Sequence, residues 1–323
     1  MRTLVIGGTR FIGISLVREL LSSGHDVTVF NRGTNDSVLP AGVKSIKGDR
    51  KDCASVKRLV EGKRFDAAFD LSYAPTTGED VDCFLRALGP QVHYIFCSST
   101  SVYAREGRVS PIKEDFARQG WEGTYGRNKL ESEDLLFARS TSGEARVTIL
   151  RPTFVYGPQN PYYREAFFFD RISMERKVLL PAPVKAMQLV HVADLARAMV
   201  AALERDQPAG RAYNIAGSET LMQDEFVEEV SRAVGKCVQL VPFDRALVRG
   251  ERESRMYFGA SLDTGVDCVF DTTAAKRDLK FSATTSLADG LSQCHSWWLS
   301  HKEAYAKYVD FGLEDNILRR ANA

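Results

Sequence analysis

Short apolar runs alternate with amphipathic stretches along the first two thirds of the chain. Residues 3–8 (TLVIGG) form an almost unbroken apolar run, the pattern of a strand buried on both faces. In the next stretch Ile12, Leu16 and Leu20 recur at helical spacing, and Gly24 is typical of the residue just beyond a helix. The alternation predicts βαβ units around a parallel sheet. The other predicted strands are residues 26–30, 43–49, 65–71, 92–99, 147–152 and 212–217.

The pattern changes after residue 157. Residues 158–186 are rich in aromatic residues and proline, which indicates an insertion that leaves the sheet before residues 189–199 return to it. The charged tail at 301–323 is expected to be a solvated or oligomer-contacting helix. We therefore predict an α/β fold in two parts. These are a main domain of residues 1–157 and 188–216, and a smaller mixed α/β subdomain of residues 158–187 and 217–323 with a C-terminal helical tail.

Composition narrows the possible partners. A formal net charge of +1 with 26% charged residues gives no basic excess for a phosphate backbone, so nucleic acid is not an expected partner. The N-terminus lacks the apolar length of a signal peptide, and no segment approaches about eighteen unbroken apolar residues, so no membrane association is expected. The six cysteines are scattered without a CxxC pair or a His/Cys cluster. In a chain of 323 residues this favours reduced cysteines, a cytoplasmic protein and no metal site.

A glycine-rich turn lies between the first predicted strand and the first predicted helix. Glycines in this position let the backbone turn tightly and approach a pyrophosphate, whose negative charge is favoured by a helix N-terminus. The turn therefore predicts a dinucleotide-binding loop. Its predicted cofactor contacts are Gly7, Thr9, Arg10, Phe11, Ile12 and Gly13.

The end of the second strand bears on the choice between NAD and NADP. A carboxylate there binds the ribose 2′-hydroxyl of NAD, whereas a basic residue accommodates the 2′-phosphate of NADP. This chain has Asn31 and Arg32 at that point, and Arg10 could supply a second guanidinium to the same phosphate. We favour NADP, and NAD stays open because Asn31 could hydrogen-bond a ribose hydroxyl.

A second candidate site follows the fifth predicted strand. Tyr125 and Lys129 are four residues apart in a predicted helix, so their side chains share one face. Hydroxyl residues at 98–101 end a strand upstream, and open α/β sheets bind ligands at the carboxyl ends of their strands. A nearby ammonium stabilises the phenolate of a tyrosine, whose ordinary pKa is about 10. The pattern thus indicates acid–base chemistry at Tyr125.

These motifs carry a resemblance. From Thr3 to about Gly290 the chain resembles the extended branch of the short-chain dehydrogenase/reductase superfamily, which contains nucleotide-sugar epimerases, dehydratases and reductases. The sequence GGTRFIG, with NRG after the second strand, is most similar to a sub-branch that also includes plastid stem-loop RNA-binding proteins. Arg10 occupies the middle glycine of the family's GxxGxxG pattern, which leaves cofactor orientation and preference open. The resemblance rests on residues 7–13, 98–103, 124–129, 150–158, 189–199 and 212–217.

The resemblance implies a Rossmann-type doubly wound parallel sheet that binds the dinucleotide, beside a substrate-binding subdomain. It assigns Tyr125 as the acid and base, Lys129 as its electrostatic partner and Ser99 as the hydroxyl that orients the reacting oxygen. It also implies a homodimer formed through two helices of each subunit. Further cofactor positions are Asp49, Arg50, Leu71 and Pro152, and Thr100 is expected on the substrate side.

Two family reactions are disfavoured by what the chain lacks. Dehydratases carry Asp-Glu directly after the catalytic hydroxyl residue, where this chain has Thr100 and Ser101. Members that epimerise at two carbons carry a cysteine at the position of Ser101. We favour an epimerase or isomerase acting by transient hydride abstraction from a nucleotide-diphosphate sugar. An NADPH-dependent keto-sugar reductase and a non-catalytic RNA- or cofactor-binding protein of the same fold stay open as alternatives.

The substrate side is less defined by the sequence. Arg164 and Arg255 could hold a diphosphate, because guanidinium groups bind phosphate oxygens in bidentate fashion. The aromatic run at residues 167–169 is expected mainly to fill core. His191 occupies a position that the resemblance makes structural. Neither the sugar, the nucleotide nor the direction of the reaction follows from the sequence.

Overall fold

The structure, a computed structural model, describes residues 1–71, 76–120, 124–205, 208–244 and 265–321. Its strands are β1 (Arg2–Ile6), β2 (Asp26–Asn31), β3 (Lys44–Lys47), β4 (Ala67–Asp70), β5 (His93–Cys97), β6 (Arg146–Pro152), β7 (Phe154–Tyr156), β8 (Val178–Ala182), β9 (Ala186–Met187), β10 (Leu189–His191), β11 (Arg211–Ile215), β12 (Leu221–Met222) and β13 (Leu240–Asp244). Its α-helices are α1 (Ile12–Ser22), α2 (Cys53–Val60), α3 (Gly78–Leu88), α4 (Thr124–Thr141), α5 (Glu165–Ser173), α6 (Val192–Glu204), α7 (Gln223–Val234), α8 (Thr273–Asp278), α9 (Leu287–His301) and α10 (Gly312–Ala321).

The large sheet has seven strands in the order β11-β6-β5-β4-β1-β2-β3. All of its neighbouring strands pair in parallel. The order reverses between β1 and β4, which is the point where open α/β sheets bind ligands. The predicted doubly wound sheet is confirmed, and each of the seven predicted apolar runs contributes one of its strands.

Successive residues of the central strands face opposite sides of the sheet, so an apolar run is buried on both of its faces. Val5 packs on one side with α1, α6 and α8, whereas Leu4 and Ile6 pack on the other with α2, α3 and α4. Both sides are therefore covered by helices, which explains why the strands are continuous apolar runs.

A second core lies outside the sheet. It is built from α5, α7, α9 and α10 together with the parallel pair β8 and β13. The run at residues 167–169 is buried there, with exposures of 4% or less, so the expectation that it fills core is confirmed. Within the described part of the chain, every helix is too short or too polar to cross a bilayer.

One expectation about the later part of the chain is wrong. Strand β10 does not return to the large sheet but pairs in parallel with β7, because β7 continues the chain just beyond β6 and offers its own edge. Most described residues of the tail are exposed, but Tyr305 and Ile317, which are 5% and 1% exposed, attach it to the second core. Glu314 is also buried, in an ion pair with Arg171.

The expectation that all six cysteines are reduced is wrong for one pair. Cys53 begins α2 and Cys83 lies in α3, and the two are joined by a disulfide with a Cα–Cα distance of 5.7 Å. The two residues are 30 apart in sequence, so only the packing of α2 against α3 brings them within bonding range. Cys97, Cys237, Cys268 and Cys294 are free thiols.

Candidate active site

The glycine turn leaves the N-terminus of α1 open. Gly7 has a φ of +95°, a conformation that favours glycine, and a Cβ on Gly13 would lie 2.2 Å from the Gly7 carbonyl oxygen. Phe11, just before the helix, makes no side-chain capping bond to it. Thr9 and Ile12 are half-buried around the turn, and Arg10 is exposed. A close-packed turn beneath an uncapped helix N-terminus fits the pyrophosphate of a dinucleotide.

The end of β2 adds hydrogen-bond donors beside this turn. The Gly33 amide donates to the side-chain oxygen of Asn31. The Nδ2 of Asn31 is buried and has no acceptor among the described residues. Arg32 is exposed. A buried donor that lacks an acceptor fits a ribose or phosphate oxygen, because an unsatisfied polar group is otherwise costly.

Asp49 and Arg50 occupy different environments in the loop after β3. Asp49 is exposed and accepts from the Lys51 amide at 3.0 Å. Arg50 donates from both Nη atoms to the two oxygens of buried Asp70, at 2.9 and 3.0 Å. Its charged end is therefore occupied by a protein carboxylate, and its Nε has no partner among the described residues.

Asp70 is a buried acid that sequence reasoning missed. Tyr94 also donates to it, at 2.5 Å. Burial, the largest single influence, would raise the pKa of Asp70, but Arg50, the Tyr94 hydrogen bond and the charge of Lys129 together hold that pKa below its ordinary value. The available signal was an acid at the end of the apolar run FDAAFDL. Leu71 follows directly and is half-buried, with its amide donating to the Ile6 carbonyl at 3.1 Å.

Ser99 lies just beyond β5. Its side chain accepts from the Ser101 amide at 3.1 Å and donates to the Ser101 hydroxyl at 3.0 Å. Ser99 and Thr100 are each 8% exposed, and a single turn of 3₁₀-helix, Thr100–Val102, connects them to Tyr103. The free thiol of Cys97 is buried, which raises its pKa to about 11 and makes it a packing residue rather than a nucleophile.

Lys129 bonds the tyrosine helix to the end of β5. Its Nζ donates to the Cys97 carbonyl at 2.6 Å and lies 5.9 Å from the centre of the Tyr125 ring. Burial lowers the pKa of the Lys129 ammonium below its ordinary value, and Cys97 and Asp70 oppose that shift. Tyr125 is half-buried on the same helix face. The predicted shared face of Tyr125 and Lys129 is confirmed.

Pro152 and Arg164 occupy positions further along the chain. Pro152 ends β6 and is buried. Arg164 precedes α5, donates to the Val155 carbonyl at 3.3 Å and stacks 5.0 Å from the centre of the Tyr162 ring. Arg255 lies outside the described residues. The Nδ1 of His191 accepts from the Ala193 amide at 3.4 Å and caps α6, in keeping with a structural part.

Sequence reasoning also missed a buried ion pair beside these groups. Arg151 and Glu133 have side-chain exposures of 1% and 0%, and Arg118 also reaches Glu133 at 3.0 Å. Two local signals were available. Glu133 is eight residues after Tyr125 in the same helix, and Arg151 interrupts the apolar run VTILRP.

Comparison with known proteins connects this geometry to a described family. Residues 3–216 match the model of the NAD dependent epimerase/dehydratase family. The UDP-glucuronic acid 4-epimerase from Bacillus cereus, solved in complex with NAD, superposes with a TM-score of 0.74. The two chains are 22% identical, and the match covers 94% of this chain and 100% of that one. At that identity the likeness shows the fold.

Two curated relatives carry different functions in their names. The chloroplast stem-loop binding protein of 41 kDa b of Arabidopsis thaliana is 29% identical over 339 residues, covering 99% of this chain and 84% of that protein. The 2'-dehydrokanamycin reductase of Streptomyces kanamyceticus is 26% identical over 256 residues, covering 78% of this chain and 70% of that protein.

Proposed function

The chain belongs to the NAD-dependent epimerase/dehydratase family, and we propose that it is a nucleotide-sugar epimerase or isomerase in which Tyr125 is the acid and base. One observation carries the proposal. The Lys129 ammonium bonds the carbonyl of Cys97, two residues before Ser99, while it stays beside the Tyr125 ring. This bond supports placing the candidate hydroxyl, phenol and ammonium groups at one edge of the sheet, the edge at which open α/β sheets bind ligands.

The glycine turn at residues 7–13, Leu71 and Pro152 would hold the dinucleotide. Bound there, its nicotinamide ring would accept a hydride from a sugar carbon and return it. We propose a preference for NADP over NAD. Arg10 and Arg32 are exposed beside the turn, Asn31 presents a buried donor, and no acid directly follows β2.

The protein's own groups would handle the proton. Tyr125 as phenolate would take the proton of a sugar hydroxyl while Ser99 donates a hydrogen bond to the same oxygen. The Lys129 ammonium would stabilise the phenolate by its charge. After the transient 4-keto sugar has rotated to present its opposite face, return of the hydride to C4 and of the proton from Tyr125 to the C4 oxygen would give the epimer. Burial of Ser99 and Lys129 strengthens each of these electrostatic interactions.

We propose that the sugar nucleotide lies between the main domain, residues 1–157 and 188–216, and the subdomain that contains the second core. The solved relative, a UDP-glucuronic acid 4-epimerase, supports a nucleotide-sugar ligand by its name. Arg164 and Thr100 are proposed as contacts to it, and Arg255 is kept as a proposal outside the described residues. A homodimer in the cytoplasm also remains a proposal.

Two alternatives have a specific observation behind them. The reductase relative favours net reduction of a keto-sugar by NADPH, which would use the same Ser99, Tyr125 and Lys129. The stem-loop binding relative, matched along almost the whole chain, favours RNA binding. Against RNA stands the net charge of only +1, since binding a phosphate backbone needs an excess of cations.

One spectroscopic experiment separates these functions. Purified protein would be mixed with UDP-glucose, UDP-glucuronic acid or dTDP-glucose, without and then with added NADP⁺ or NADPH, while the reduced-nicotinamide absorbance is recorded. An epimerised product without net cofactor change supports the proposal. Stoichiometric NADPH consumption with a keto-sugar favours the reductase. No reaction under any condition, combined with tight binding of a stem-loop RNA, would contradict the proposal.

A further inference from the structure

We propose that Glu133, through its buried ion pair with Arg151, is a positioning residue that fixes the helix of Tyr125 and Lys129 against the segments carrying Ser99 and Pro152. The inference rests on the proposed function and extends it to a residue outside the candidate acid–base set. Glu133 would act through Tyr125 and would not touch substrate.

The first step is the spacing along α4. Tyr125, Lys129 and Glu133 are four residues apart in turn, so the three side chains follow one face of the helix. Lys129 bonds that face to β5, through the Cys97 carbonyl. Glu133, with no exposed surface, bonds the same face to β6 one turn further along. The rotation of the helix about its axis is thus defined at two points.

The second step is the geometry of the arginine. Arg151 donates from Nε and Nη2 to the two oxygens of Glu133, at 2.9 and 2.8 Å. A bidentate bond between a planar guanidinium and a carboxylate fixes orientation as well as distance. Arg151 directly precedes Pro152 in β6, so the pair sets α4 relative to the strand end proposed to lie beside the cofactor.

The third step is the connection to Ser99. Arg151 also donates from Nη1 to the Tyr103 hydroxyl at 2.9 Å and to the Glu114 carbonyl at 2.9 Å. Tyr103 in turn donates to the side-chain oxygen of Asn214 at 2.5 Å. Since only the short turn Thr100–Val102 separates Tyr103 from Ser99, one guanidinium joins the three segments that carry the candidate groups.

A contribution to fold stability explains the Arg151–Glu133 pair less well than a role in orientation does. Burying two charges carries a desolvation cost, and apolar residues of similar volume often replace buried ion pairs without loss of stability. A defined orientation is something an apolar replacement does not supply. The chain contains a second pair, Arg171 with Glu314, that has the same chemistry and burial and is remote in sequence from α4. That pair is a matched control.

The test uses the phenol of Tyr125 as a reporter. Its titration is obtained from ultraviolet difference spectra of each protein against the same protein carrying Tyr125→Phe. Charged and titratable groups near Lys129 are Cys97 on β5, Asp70 on β4 with its partner Arg50, and Glu133 on α4. Buried tyrosines interfere little, because burial raises the pKa of Tyr103 to about 12 and that of Tyr94 well above its ordinary value.

The variant combines Glu133→Gln with Arg151→Met, so that neither charge is left buried alone. We expect a folded protein in which Tyr125 has moved from Lys129, so that the midpoint of its titration lies above that of the wild type, because the stabilising ammonium is further away. Turnover of the sugar nucleotide that the wild type accepts would fall about 100-fold, as expected for a displaced catalytic group. Arg151→Lys keeps the positive charge but loses the bidentate bond, so it should also raise the midpoint of the Tyr125 titration. This variant replaces the double variant if that protein does not accumulate.

The control combines Glu314→Gln with Arg171→Met and should leave the Tyr125 midpoint and turnover unchanged. An unshifted midpoint in both Arg151 variants would overturn the inference while the proposed function stands. Equal shifts in the Arg151 and Arg171 double variants would indicate general loosening and also overturn it. If the wild type forms no epimerised product from any sugar nucleotide, the proposed function fails, and the inference fails with it.

Discussion

Two regions of the molecule each contain a buried arginine–glutamate pair, and the two pairs have nearly the same geometry. In each, the guanidinium forms a bidentate bond to the carboxylate through Nε and Nη2, and its remaining nitrogen, Nη1, donates to a tyrosine hydroxyl and a backbone carbonyl. The side-chain exposures are 1% and 0% for Arg151 and Glu133, and 1% and 1% for Arg171 and Glu314.

What differs is what each pair joins. Arg151 and Glu133 join β6 to the helix of Tyr125 and Lys129, at the edge of the sheet. Arg171 and Glu314 join α5 to α10 and so attach the C-terminal tail to the second core. The two pairs therefore cannot be told apart by burial, charge or bond geometry. Only the elements that each pair joins indicate which pair affects the candidate active site.

The largest expected effect lies in the first region. Tyr125→Phe removes one hydroxyl from a half-buried side chain, so the fold should persist. Turnover should fall about 10²- to 10⁴-fold, because proton transfer by a positioned side chain contributes that much. The measurement is steady-state turnover with the accepted sugar nucleotide, with cofactor binding as the control. Turnover within a few fold of wild type would remove Tyr125 from the mechanism.

The second region should respond in stability instead. Glu314→Gln leaves the Arg171 charge buried without its carboxylate, which should lower the free energy of unfolding by roughly 3 to 5 kcal/mol. Turnover per folded molecule should be unchanged. Urea unfolding followed by tryptophan fluorescence checks the first expectation, since Trp298 lies in this core. A stable variant with impaired turnover would reverse the distinction between the two regions.

The free energy of unfolding, measured over a range of pH, should distinguish the two regions, because the pKa values of their buried acids are shifted in opposite directions. Burial raises the pKa of Glu165, in the second core, to about 7 from an ordinary value of 4.5. The native state then keeps a proton that the unfolded chain has lost, so this contribution is full below about pH 4.5 and falls as the pH rises through about 7.

Asp70, beside the sheet, has the opposite sign. Its pKa is lowered, so its contribution is present at neutral pH and is lost as the pH falls below the ordinary carboxyl range. Unfolding of wild type and Glu165→Gln, measured at several pH values, should show that the variant loses the decline in stability between about pH 4.5 and 7. An identical decline in both proteins would mean that Glu165 titrates normally.

The smallest expected effect concerns the cofactor. Arg32→Ala should weaken NADPH binding about tenfold, roughly the 1.5 kcal/mol of one hydrogen bond to a charged group, and leave NADH binding unchanged. Fluorescence titration with both cofactors measures this, and Arg205→Ala, on an exposed position after α6, is the control. Equal losses for both cofactors would point away from a 2′-phosphate contact.

The hydrophobic pattern of the sequence predicted the features that nearby residues determine, namely strands and helix faces. The central strands of the sheet were readable because they are buried on both faces, and the Tyr125 to Lys129 spacing was readable because helical periodicity fixes it. Pairing between distant segments was not readable. The Cys53 to Cys83 disulfide, the β7 and β10 pair and the buried acids Asp70 and Glu133 depend on which elements become neighbours in the folded chain. Charged residues inside apolar runs were the available sign of such pairing.

The most direct test of the central claim is the fate of a deuterium at C4 of UDP-glucose, or of whichever sugar nucleotide the protein accepts. We predict that the hydrogen leaves and returns within one active site, so the epimerised product keeps the deuterium at C4 by proton NMR, and that Tyr125→Phe forms almost no such product. The account would be contradicted if the product carried solvent hydrogen at C4, or if the Tyr125→Phe protein formed labelled epimer as fast as the wild type.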